Sequence, residues 1–268
     1  MNKRWETFQN TSDFRFVPYI MAGDPCEEAT IELSLALEEC GAAALELGVP
    51  YSDPLADGPV IQRAGMRGLK QNVTLEKTLK LVSKLRERGL KIPVIIFTYY
   101  NLLLQLGENR FMELAEENGA DGLLVPDLPY EESGYLNEMC KEHELALISL
   151  TAPTTQLAKL HKLASEAEGF LYCISSLGVT GIRSEFRNGL NDFLQEARSK
   201  SNVPVLVGFG LSSREQIEKF EENSDGYIIG SAIVKKIESL EEQLLHDRQN
   251  AIYEFKEFLQ SLIPMYSR

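Results

Sequence analysis

The sequence predicts an α/β fold, a closed (β/α)8 barrel with an extra N-terminal helix. Three observations carry the prediction. Eight short apolar runs recur along the chain, longer amphipathic stretches separate them, and no Pro-, Gly- or Ser-rich linker interrupts the 268 residues. Alternating strand and helix signals mean repeated βα units around a parallel sheet, and eight units in one uninterrupted chain favour closure over an open sheet. The expected architecture is a TIM barrel forming a single domain over residues 1–268.

Each element has its own signal. Met1 to Asn10 reads as a short helix across the amino end of the barrel. The eight strand candidates are Phe16 to Ala22, Ala43 to Gly48, Val94 to Thr98, Gly122 to Pro126, Ala146 to Leu150, Phe170 to Ser175, Val205 to Gly208 and Gly226 to Gly230. Between them, Leu75, Leu79, Val82 and Leu85 have the three- and four-residue spacing of a buried helix stripe, and Glu132 to Lys141 and Arg214 to Glu221 read as helices. One helix is expected after each strand. Residues 49 to 73 read as a long loop, well beyond the usual βα connection, and Leu177 to Phe186 as a second one. Long loops at the carboxyl ends of barrel strands are natural lids.

Composition excludes several function classes. The formal net charge of -13 disfavours a nucleic-acid partner, which needs clustered Lys and Arg. No window is apolar enough to cross a bilayer, and Met1-Asn2-Lys3-Arg4-Trp5-Glu6 lacks the apolar core of a signal peptide, so the expected compartment is the cytoplasm. Cys26, Cys40, Cys140 and Cys173 are widely spaced and read as reduced thiols, with no metal site. His143, His161 and His246 fall in charged helical stretches, so a Ser-His-Asp or Cys-His nucleophile is not expected.

In such barrels functional groups sit at the carboxyl ends of strands, which here hold Asp24, Glu46, Tyr99, Asp127, Tyr172, Gly208 to Gly210, and Gly230-Ser231. Side chains alternate along a strand, so Ala44, Glu46 and Gly48 share one face and Leu45 and Leu47 the other. Packing the leucines on helices turns Glu46 into the barrel mouth, where loss of water raises a carboxyl pKa toward neutrality. The alternative is a structural carboxylate that caps loop amides or pairs with an arginine. Asp53 before Pro54 reads as turn chemistry, whereas for Asp57 spacing alone leaves turn and site readings even. Three glycine-bearing loops, Gly178 to Gly181, Gly208-Phe209-Gly210 and Gly230-Ser231, have the placement of a phosphate cradle. No P-loop lysine or dinucleotide glycine motif accompanies them. Tyr99 and Tyr172 can offer hydroxyls to a ligand at the same mouth.

The segment Glu46 to Gly58, E-L-G-V-P-Y-S-D-P-L-A-D-G, resembles the signature of the tryptophan synthase alpha chain family. The likeness extends to Gly23-Asp24-Pro25, Thr98 to Asn101, Pro126 to Pro129, Ala152-Pro153-Thr154, Gly178 to Gly181, Gly208 to Gly210 and Gly230 to Val234. The resemblance implies retro-aldol cleavage of indole-3-glycerol phosphate to indole and glyceraldehyde 3-phosphate. Indole would pass to a beta subunit in an alpha2beta2 complex, with pyridoxal phosphate in the beta partner and no cofactor in this chain. It further implies catalytic roles for Glu46 and Asp57, and substrate contacts from Tyr99, Tyr172, Thr180, Gly181, Phe209, Gly210, Gly230 and Ser231. Thr180 would hydrogen-bond Asp57, and Asp53, Pro54, Asn101 and Leu102 would face the beta subunit. The chain departs from the family pattern at Tyr19, Phe97, Leu102, Ser176-Leu177 and Tyr227. Those departures keep a second role open, a catalytically weak subunit acting mainly as allosteric activator of the beta subunit.

Overall fold

The computed structural model describes residues 2–11, 13–174, 189–208 and 210–264. Nine parallel strands form one sheet: β1 (Arg15–Met21), β2 (Leu45–Gly48), β3 (Val94–Phe97), β4 (Gly122–Leu124), β5 (Ala146–Leu147), β6 (Ser149–Thr151), β7 (Leu171–Ile174), β8 (Val205–Gly208) and β9 (Gly226–Ile229). Their order is β5-β4-β3-β2-β1-β9-β8-β7-β6. The two strands at the ends of that order, β5 and β6, are separated in the chain by Ile148 alone, whose N–H donates to the Leu123 carbonyl at 2.9 Å. They are two halves of one barrel position: β5 pairs with β4 and β6 with β7, so the fifth strand changes partner midway. The ring therefore has the eight positions expected, with the fifth divided.

The helices among the described residues are α1 (Lys3–Asn10), α2 (Glu27–Glu39), α3 (Pro59–Lys70), α4 (Leu75–Glu87), α5 (Tyr100–Leu106), α6 (Glu108–Asn118), α7 (Gly134–Glu142), α8 (Leu157–Glu166), α9 (Leu190–Lys200), α10 (Arg214–Glu218), α11 (Ser231–Ser239), α12 (Glu241–His246) and α13 (Arg248–Leu262). One helix per strand does not hold. Two follow β2, two follow β3, and three follow β9. The expected loop over residues 49 to 73 contains α3. Its Pro59 sits at the first turn, where the missing N–H costs nothing, and Ile61, Ala64, Gly65 and Gly68 form its buried stripe. Gly68 is a close approach rather than a breaker: a Cβ there would lie 2.7 Å from the Ala22 carbonyl oxygen.

One side chain from almost every strand fills the barrel interior. Val17, Ala44, Ile95, Leu124, Ala146, Ile148, Tyr172, Leu206 and Ile228 belong to one buried cluster, closed at the amino end by Trp5 and Phe8 of α1. Leu45 and Leu47 belong instead to the layer between strands and helices. Tyr227 also lies in that outer layer, stacked on Phe16 at 5.4 Å and fully buried, so its bulk falls outside the mouth.

Two aspartates anchor the floor. Asp121, just before β4, accepts from Asn2 Nδ2 and Arg4 Nε at 2.6 Å, Arg86 Nη2 at 2.5 Å and the Val94 N–H at the start of β3 at 2.8 Å. Its carbonyl accepts from Trp5 Nε1 at 2.8 Å. Asp225, just before β9, accepts from Arg198 Nε and from the Val205 N–H at the start of β8, both at 2.9 Å. Its carbonyl takes Arg15 Nη1 at 3.2 Å. Such charge-assisted bonds are strongest at the fully buried Asp121 and weaker at the partly exposed Asp225, and both aspartates use them to set the start of the preceding strand.

Candidate active site

The mouth of the barrel is built on β1, β2, β3, β7 and β9 and covered by α3 and α11. Glu46 lies in register between Tyr19 of β1 and Ile95 of β3, 1% exposed, with Leu45 and Leu47 turned outward as the alternation requires. It lines a pocket with Tyr19, Asp57, Ile61, Phe97, Tyr172, Gly210, Gly230 and Ser231. Among the described residues no group hydrogen-bonds Glu46 Oε1, and burial pushes its carboxyl pKa up to about 8. The structural alternative, a carboxylate capping amides or pairing with an arginine, would supply donors to that oxygen. It has none.

Asp57 stands on the loop that leads into α3, 7% exposed. Burial raises its carboxyl to about 6, and the Tyr99 hydroxyl, donating to it, opposes that rise. The same hydroxyl oxygen accepts the Ala56 N–H at 3.0 Å, so Tyr99 holds the loop by two bonds. Gln62 Nε2 donates to the Asp57 carbonyl at 2.8 Å and locks the entry to the helix. Two carboxyl groups at one mouth thus differ by environment: one has an oxygen that meets no donor among the described residues, the other a hydroxyl.

Strand-end glycines shape the walls. A Cβ on Gly48 would lie 2.0 Å from the Tyr19 hydroxyl oxygen, and one on Gly208 would lie 2.6 Å from that of Tyr172. Each tyrosine therefore lies across the end of a neighbouring strand. Tyr19 meets Phe97 edge to face at 5.4 Å, so these two residues form an aromatic wall beside Glu46. Beside Tyr19, Gly230 caps α11, and Ser231 opens that helix with Gly210 nearby in the left-handed region at φ 81°.

The structure brings together Glu46, Asp57, Tyr172, Gly210, Gly230 and Ser231 at one pocket, with Tyr99 behind Asp57. Thr180, Gly181 and Phe209 lie outside the described residues, as do Ser176 and Leu177. Asp127 proves to serve another helix: its Oδ1 accepts the Tyr100 N–H at 2.9 Å and caps α5. Among the described residues no group of three or more His, Cys, Asp or Glu is placed to hold a metal ion, and no helix is long and apolar enough to cross a membrane. Sequence reading missed the partners of Asp24; it counted Tyr19 and Phe97 among the aromatics around the mouth without assigning either a role. The register of Tyr19 with Glu46 makes it a wall of the site.

A (β/α)8 barrel with a buried carboxyl at its mouth, one oxygen of which meets no donor among the described residues, and a helix N-terminus lining the same pocket has the make-up of an acid–base barrel enzyme. Comparison with known proteins narrows the class. The model of the tryptophan synthase alpha chain family matches residues 6–263, and the chain belongs to that family. It is 55% identical over 249 residues to the tryptophan synthase alpha chain of Geobacillus stearothermophilus, covering 92% of each. The alpha subunit of Legionella pneumophila str. Paris superposes with a TM-score of 0.83 at 33% identity, over 97% of this chain and 96% of that one. A chain from the tryptophan synthase a2b2 complex of Pyrococcus furiosus gives 0.82 at 34%, over 94% and 98%.

Proposed function

We propose that this chain cleaves indole-3-glycerol phosphate to indole and glyceraldehyde 3-phosphate, with Glu46 as the proton shuttle and Asp57 as the partner of the indole N–H. The observation that carries the proposal is the buried Glu46 carboxyl, whose Oε1 meets no donor among the described residues and which holds its proton to about pH 8. In the neutral form it gives its proton to indole C3, which leaves positive charge on the ring nitrogen. The ionised Asp57 faces that charge and stabilises it. The Glu46 carboxylate then takes the proton of the adjacent glycerol hydroxyl. The bond between C3 and that carbon breaks, its electron pair restores the indole ring, and the hydroxyl oxygen becomes the aldehyde. Glu46 ends protonated, ready for another cycle. Gly210, Gly230 and the α11 N-terminus at Ser231 take the phosphate through backbone N–H groups and the helix dipole. Thr180, Gly181 and Phe209 are assigned to the same site on the resemblance alone.

A beta subunit that carries pyridoxal phosphate receives the indole. Support comes from the Pyrococcus furiosus relative, a chain of an a2b2 complex, and from the apolar rim around the mouth, where Leu55 and Leu104 are 83% and 56% exposed. The reading of the chain as chiefly an activator loses one of its grounds, because Tyr227 lies outside the pocket. The deciding assay is indole release from indole-3-glycerol phosphate with and without the beta chain. Release identifies the reaction, and no product in either condition overturns it.

The active form needs Glu46 neutral and Asp57 ionised. The profile of kcat/KM against pH is therefore expected to be a bell, with an acidic limb near 6 from Asp57 and an alkaline limb near 8 from Glu46. Tyr99→Phe removes the donor that opposes the rise at Asp57. Its acidic limb should move up by about one pH unit, with the alkaline limb in place. An unmoved acidic limb would take Tyr99 out of this role.

A further inference from the structure

One network beside the mouth is not used by the chemistry above. Arg67 of α3 forms a two-pronged pair with Asp24 on the loop after β1, Nε to Oδ1 at 2.6 Å and Nη2 to Oδ2 at 2.9 Å. Its third nitrogen, Nη1, donates to Glu238 Oε1 of α11 at 2.8 Å. Arg63, one turn earlier on α3, grips the same Glu238 at 2.7 and 2.8 Å, and Glu241 stands 4.0 Å from Arg67. Exposed ion pairs contribute little, but here the side chains of Arg67 and Asp24 are only 11% and 2% exposed. A planar guanidinium held at three points in such a place fixes geometry as well as charge.

The elements it joins are those that carry the two ends of the site. Asp57 lies just ahead of the first residue of α3, and Ser231 opens α11. Beneath the network, Ile61 and Ala64 of α3 and Val234 of α11 pack on Tyr19 and Met21 at the end of β1. Apolar contacts hold the two helices down, but they leave sliding along the axes weakly opposed. A fork from one helix to the other, and to the backbone exit of β1, opposes it.

We infer that Arg67 is a positioning residue: by joining Asp24 at the exit of β1 to Glu238 on α11, it fixes the Asp57 loop relative to the helix N-terminus at Ser231. The inference rests on the roles proposed above for Asp57 and Ser231. It adds that the ends which meet indole and phosphate are set as one unit by a side chain that touches neither.

The test uses Arg67→Met, Arg67→Lys and Glu238→Gln in the complex with the beta chain, with Arg110→Met as a surface control. Arg67→Met should lower kcat about tenfold or more, since small misplacements of a reacting group are costly. Arg67→Lys cannot reproduce the fork and should restore only part of the loss. Glu238→Gln, which leaves the buried Asp24 pair intact, should fall between Arg67→Met and wild type, and Arg110→Met should match wild type. Backbone hydrogen exchange gives an independent readout whether or not the chain releases indole. In Arg67→Met and Glu238→Gln, exchange should rise over residues 55–61 and at the start of α11, and stay unchanged at the floor strands. With glycerol 3-phosphate as probe, wild type should gain protection in both segments, and Arg67→Met only at α11. Unchanged exchange over residues 55–61, or an equal rise throughout the barrel, would overturn the inference.

Discussion

Glu46→Gln is expected to reduce indole release by about 10³-fold or more with little change in KM, because it keeps the shape of the side chain and removes its exchangeable acid proton. The loss corresponds to about 4 kcal/mol of transition-state stabilisation. Asp57→Asn should cost about 10²-fold, the usual scale for one electrostatic partner of a developing charge. The two variants should differ in their pH profiles as well as in rate. The residual activity of Asp57→Asn should lose its acidic limb, the feature assigned to ionisation of Asp57. Single-turnover measurements with the beta chain present decide the matter. Glu46→Gln activity within tenfold of wild type would remove the proton shuttle from this residue.

The same substitution is expected to change how stability depends on pH. The folded chain holds a proton on Glu46 up to about pH 8, whereas an ordinary glutamate releases it near 4.5. Between those values the native state binds the extra proton, so stability falls as pH rises, by about 1.4 kcal/mol per unit. At pH 7 the burden is roughly 3 kcal/mol. Glutamine carries no such proton and is free of that slope, although its buried amide has an unsatisfied donor that costs about 1–3 kcal/mol. Urea titrations at pH 5 and pH 8 should therefore find the stability of wild type relative to Glu46→Gln falling by about 3 kcal/mol. Asp57 adds a shift of the same sign in both proteins and cancels in the comparison. Parallel pH dependence in the two proteins would mean that Glu46 is not held neutral by the fold.

Both expectations come from one residue that was legible in the sequence, and the reason is local. A glutamate two residues from Ala44 and Gly48, flanked by leucines, can face the mouth only if the leucines face helices, and they do. The strands were legible for a similar reason, since runs such as Val94 to Phe97 are apolar on both faces. Helix α3 was not legible, because Pro59, Gly65 and Gly68 are loop residues by habit and helix residues here by position. The division of the fifth strand also left no sign, since a change of hydrogen-bonding partner at Ile148 depends on neighbours distant in the chain. Arg67 was hidden for that reason too. Its partners lie 43 and 171 residues away, and no periodicity links them.

The two floor aspartates have a consequence for where variation can be borne. Asp121 and Asp225 each precede a glycine that opens a strand, and each sets the first N–H of the strand before it, once in either half of the ring. The architecture repeats this fastening far from the mouth, where no substrate has to enter or leave. The starts of the strands are fastened at one end of the barrel, and the unmatched carboxyl lies at the other. A barrel organised this way can tolerate a reactive, ill-satisfied group because its closure does not depend on the end where that group works.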